Sequence, residues 1–243
     1  MPRLSEKNVQ PNGGSLPPAE VPIGEPGELN PASKTARGPR RVIAIDPPRI
    51  EDLVFHLVGT EPLVLQRFSQ KQLDIVAEGQ KAGSTKRGKK VREPKDFDAL
   101  YEAAKYISEE GWLGMSASAF RSAMISACRT VDFPMVRAKL AIFIKADGYD
   151  KFDHTPLVRI HGEPRKWLSQ ARNATGVIDV RSRPMFRDWR VNLHVQYDSQ
   201  MFTASDIANL CARAGRQVGI GEGRPDSRQS NGMGFGLYRL VND

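Results

Sequence analysis

The residues best suited to chemistry lie in segment 215–240, GRQVGIGEGRPDSRQSNGMGFGLYRL. Glycines at 215, 219, 221, 223, 232, 234 and 236 are interleaved with Arg216, Arg224 and Arg228. Glycine lacks a Cβ and reaches positive φ, so backbone N–H groups can approach a partner closely. Arginine adds a planar cation that matches phosphate. Gly219, Gly221, Gly223, Gly232 and Gly234 with these arginines suit a loop that holds a polyanion. The same residues also suit a long hairpin loop whose glycines serve only turns.

Two further basic stretches favour the polyanion. Segment 80–95, QKAGSTKRGKKVREPK, carries Lys86, Arg87, Lys89, Lys90 and Arg92 with only Glu93 opposing, and it has no apolar face. Like-charge repulsion extends such a segment until an anion arrives. Between 159 and 190, eight cations, among them Arg181, Arg183, Arg187 and Arg190, oppose Glu163, Asp179 and Asp188. Trp167, Phe186 and Trp189 fall in the same stretch. Arginines neutralise phosphates and exposed aromatics stack bases. Phe186 and Trp189 fit either stacking or packing beside the strand that follows. For Trp112, packing in the core is expected.

Enzyme signatures are missing from the sequence. There is no G-x-x-x-x-G-K-[ST], no G-x-G-x-x-G between strand and helix, no H-E-x-x-H, no C-x-x-C and no G-x-S-x-G. His56 and His194 read as sheet residues, His154 follows Asp153 in a turn, and His161 ends a strand. No spacing singles out Asp96, Asp98, Asp147, Asp150 or Asp153 as a catalytic acid. The expectation is a binding protein with no catalytic residue, no metal and no cofactor.

At 243 residues the chain can bury a sizeable core, and 36 Lys+Arg against 28 Asp+Glu give a net charge of +8. That balance favours polyanionic partners. Cys128 and Cys211 sit in apolar helical runs, as small core residues do, which points to a reducing, cytoplasmic setting. No apolar run reaches the ~18 residues of a membrane span.

Residues 1–48, rich in Pro, Gly and charge, read as a disordered or extended arm ending near the basic cluster KTARGPRR. Residues 49–243 read as one domain. Leu53–Val58 alternates as a strand closed by Gly59. A helical stripe covers Phe97–Ser108, and Ser116 caps a helix running to Val131. Met135–Lys145 begins as helix and ends as strand, and Leu157–Ile160 is a further strand. Val177–Arg183 alternates, and a turn follows over Pro184–Trp189. Arg190–Tyr197 is the clearest strand. Thr203 caps a helix to Ala214, which Gly215 stops. Phe235, Leu237 and Leu240 belong to a last strand. The order predicts an α+β fold: a ferredoxin-like, RNA-recognition-type antiparallel sheet with helices on one face and a large basic insertion around 80–95.

This order, the terminal loop GIGEGRPDSRQSNGMGFGLYRL behind the helix ASDIANLCARAG, and the start LVFHLVGTEPLVL resemble the RAMP superfamily. That family includes the repeating backbone subunit of CRISPR effector complexes. The resemblance covers roughly residues 52–240. It implies a non-catalytic subunit that coats single-stranded RNA, such as a guide, as a homo-oligomer or filament with other effector subunits. The phrases RPMFRDW and GIGEGRP also resemble uncharacterised phage-encoded proteins. Two alternatives stay open: a phage virion or assembly protein that oligomerises through its arm, and a metal-dependent nuclease using unrecognised acids.

Overall fold

A computed structural model describes residues 46–67, 95–172, 178–227 and 232–241. The expected arm at 1–48 lies outside them apart from its last three residues, and so do Lys86, Arg87, Lys89, Lys90, Arg92 and Arg228. Among the described residues the fold is α+β, with antiparallel sheets and four α-helices.

β1 (Ile50–Gly59) shows the alternation read from the sequence. Leu53, Phe55 and Leu57 turn to the core, and Val54 stays exposed. β2 (Leu63–Val64) is buried. α1 (Phe97–Ala103) begins at Asp96, whose carboxylate accepts from the N–H groups of Asp98 and Ala99. The helix expected to reach Ser108 ends early. The chain instead enters β3 (Tyr106–Ile107), which pairs with β4 (Leu113–Ser116) across a turn that needs Gly111 at φ +89°.

α2 (Ala117–Ala127) buries Phe120, Ala123, Met124 and Ala127 and tightens into a 3₁₀ turn at Cys128–Val131. Ser116 stands at its N-cap position, but its hydroxyl bonds the Ser118 hydroxyl rather than a helix N–H. α3 (Met135–Ala141) passes straight into β5 (Ile142–Lys145), the expected helix-to-strand change. β6 (Gly148–Tyr149) and β7 (Pro156–Arg159) follow.

β8 (Pro164–Arg172) and β9 (Ile178–Phe186) form a hairpin paired from Pro164↔Phe186 to Arg172↔Ile178. The turn expected over Pro184–Trp189 is therefore shorter, because Pro184, Met185 and Phe186 complete β9. The carbonyl of Pro184 accepts from Leu65 N–H, tying β9 to the β2 segment. Phe186 and Trp189 are core residues rather than stacking platforms. The Trp189 indole N–H donates to the Glu61 carbonyl at 2.8 Å. Trp112 is not fully buried as expected: it lies half-buried, donating to Glu110 Oε2 with Arg159 over its ring.

β10 (Arg190–Asp198) sends Val191, Leu193, Val195 and Tyr197 inward. α4 (Ala204–Arg213) opens with the expected Thr203 cap, reciprocated by the Asp206 side chain. Gly215 does not stop it. The helix widens into a π turn, Ala214–Val218, and ends at Gly219. Gly215 is needed for packing, since a Cβ there would sit 2.4 Å from the Tyr238 carbonyl oxygen. β11 (Tyr238–Val241) starts later than expected, leaving Phe235 and Leu237 in the loop.

The central sheet runs β11-β1-β10-β5 with every neighbouring pair antiparallel. α2 and α4 share one core with its inner face, where Phe120, Met124, Ile207 and Leu210 meet Leu57, Leu193 and Val195. Smaller sheets, β2-β9-β8 and β3-β4-β7-β6, flank it. Cys128 and Cys211 are buried, as expected of small core residues. No described helix is long and apolar enough to cross a membrane.

Candidate nucleic-acid groove

α2, the β8–β9 hairpin and the glycine-rich loop frame a groove of about 1180 Å³. α2 supplies one wall: Ser118, Ser122 and Ser126 recur every four residues and so share a helix face, with Ala119 and Ala123 beside them. The hairpin supplies Trp167, Ser169 and Arg181. The loop supplies a further wall, residues 219–224 with Asp226, Met233 and Phe235. Trp167 and Phe235 meet edge to face there, with ring centroids 5.6 Å apart.

The loop is stapled to itself and to β2. Gly223 O accepts from the N–H groups of Met233 and Phe235, at 2.7 and 3.2 Å. Ile220 N–H donates to Gly236 O, Gly236 N–H to Pro62 O, and Glu222 N–H to Val64 O. Gly236, at φ +70°, lies so close that an added Cβ would be 1.8 Å from Ile220 O. Gly234 differs: its φ is +76°, but an added Cβ would meet nothing within 4 Å. Most of the loop's glycines thus serve close backbone packing, and many N–H groups are already bonded inside the loop.

The groove's charges are paired. Arg183 Nε donates to Glu222 Oε2 at 2.9 Å, and Arg181 Nη1 lies 3.5 Å from Glu222 Oε1. Arg129 Nη2 bonds Asp226 Oδ1 at 2.6 Å and also reaches the Ser126 hydroxyl, which itself donates to Asp226. Arg224 Nη1 donates to Gly221 O. The Ser126 hydroxyl first, and then the Arg129 guanidinium, hold the Asp226 carboxyl below its ordinary range against the opposing pull of burial.

The structure brings Arg181, Arg224, Gly219, Gly221, Gly223 and Gly232 to this groove; Arg183 stands behind its Glu222 partner, and Gly234 lies on the same loop. It does not bring Arg187, Arg190 or Arg216, which are exposed elsewhere. Arg190 lines a separate hollow of about 360 Å³ with Val58, Gly59 and His161. Of the aspartates considered as acids, Asp150 and Asp153 hold the buried Arg67 at 3.2 and 3.1 Å. Asp147 accepts from Arg159 N–H, and Asp98 pairs with Lys166.

Sequence reasoning missed Arg129, the acids Glu222 and Asp226, Phe235 and the serine face of α2. Only the serine spacing was available as a local signal. In comparisons with known proteins, no protein-family model and no curated sequence matches the chain.

Proposed function

We propose that this chain is a non-catalytic subunit that binds single-stranded nucleic acid, RNA foremost, along the groove. The observation that carries the reading is the convergence there of Arg129, Arg181 and Arg224 with the Trp167–Phe235 pair. Cations track a backbone and an aromatic face accepts bases of any sequence. The sheet order supports it as well. β1, α2, β5, β10, α4 and β11 follow one another as β-α-β-β-α-β, the succession of a ferredoxin-like sheet. We read the domain as that fold with added segments, and the protein as a RAMP-like subunit that lines up in copies along RNA in the cytoplasm.

Fluorescence anisotropy with a mixed-sequence RNA, read across salt concentrations, tests this. Arg224→Gln is expected to make the salt dependence shallower by about 0.7 in log–log slope, the increment for one phosphate on a single strand. Trp167→Ala is expected to lose about 1–3 kcal/mol per stacked base with the slope unchanged. Absence of binding at low salt, or two variants that bind like the wild type, would overturn the proposal.

A further inference from the structure

We propose that Arg181 and Arg183 form a subsite for one phosphate of the bound strand, and that Glu222 holds this subsite as an internal counterion until the phosphate displaces it. The inference rests on the nucleic-acid reading of the groove and adds to it how the ligand is admitted.

Glu222 presents both carboxylate oxygens to the two arginines, Oε2 to Arg183 at 2.9 Å and Oε1 to Arg181 at 3.5 Å. A non-bridging pair of phosphate oxygens offers the same two-point pattern to guanidinium groups. The burial is graded. The Arg183 side chain is 11% exposed, Glu222 21% and Arg181 33%. A cation as enclosed as Arg183 cannot be left without an anion at low cost, because the interior does not solvate it. Taking Glu222 away therefore creates a demand for another anion at that spot. Arg181, the more open of the two, borders the groove and gives an incoming phosphate its first contact.

The carboxylate leaves by side-chain rotation while the backbone stays fixed, with Glu222 N–H bonded to Val64 O and Gly223 O accepting from the N–H groups of Met233 and Phe235. Exchange of carboxylate for phosphate keeps the charge count of the arginine pair unchanged. Binding at this subsite then releases few counterions, and the salt dependence understates the number of phosphates held.

Removing the carboxylate's charge isolates the effect. Glu222→Gln is compared with Glu163→Gln, which removes the same charge from an exposed position before β8. With a mixed-sequence RNA at low salt, Glu222→Gln is expected to bind about five- to tenfold tighter than wild type, with a slope steeper by about 0.7. Glu163→Gln is expected to change affinity less than twofold. Equal behaviour of the two variants, or weaker binding by Glu222→Gln, would overturn the subsite.

If Glu222→Gln does not fold, Arg181→Gln serves instead. A weaker complex with a nearly unchanged salt slope supports the subsite, and unchanged binding overturns it. If the wild type binds no RNA, the nucleic-acid reading falls by itself. The subsite is then judged on thermal stabilisation by tripolyphosphate. A larger shift for Glu222→Gln than for Glu163→Gln supports it, and equal shifts overturn it.

Discussion

A methyl group at position 236 would be driven into the carbonyl oxygen of Ile220, whereas the same methyl at position 234 would meet open space. Both residues have left-handed backbones, so the pair separates conformational cost from contact cost. Gly234→Ala is expected to lose about 1–2 kcal/mol, the penalty for an L-residue in that region. Gly236→Ala is expected to lose more, since the backbone must also move apart. Denaturant unfolding of the two variants checks the order, and equal losses would contradict the packing described. At this scale the sequence was a partial guide. Glycine and arginine types announced a special loop, but not what each glycine is for. Gly215 looks like a helix stop in sequence, yet it is needed where Tyr238 crosses the π turn. Glu222 looks like one acid among arginines, because its partners on β9 are distant in sequence.

Between elements, the loop is held to α2 by Asp226, which Ser126 and Arg129 grip from the helix side. Its carboxyl lies below the ordinary Asp value of 3.8. The unfolded chain therefore takes up the proton first as pH falls. The stabilisation is complete above the unfolded value and disappears as pH drops through the folded one. Asp206 and Asp153 are shifted in the same direction. Stability is thus expected to decline below about pH 4, and Asp226→Asn should flatten part of that decline. Melting temperature against pH for the two proteins measures it, and parallel curves would refute the link. Elements with strong local periodicity, β1, β10, α2 and α4, were legible in the sequence. β2, β3 and β6 were not, since two residues show no period and pairing partners decide them. The groove was also hidden, because Ser126 and Asp226 stand 100 residues apart in sequence.

For the whole molecule, every residue of the described core lies between Leu53 and Leu240. In the assembly alternative, removing residues 1–45 is expected to abolish an oligomer while RNA binding by the groove stays in place. Light scattering on the shortened chain then tests the assembly alternative. Loss of an oligomer with intact RNA binding would assign the arm to assembly, and loss of both would contradict the independence of the groove. The strand order carries a consequence for how the chain is made. β1 lies between β10 and β11, so the first of the described strands is flanked by two of the last. While the ribosome produces the intervening segments, neither described neighbour of β1, which carries Leu53, Phe55 and Leu57, yet exists. Contacts this distant in sequence form slowly. Among the described strands β1 thus gains its first partner only once β10 is made, an order that favours rapid completion over pairing with a neighbouring chain.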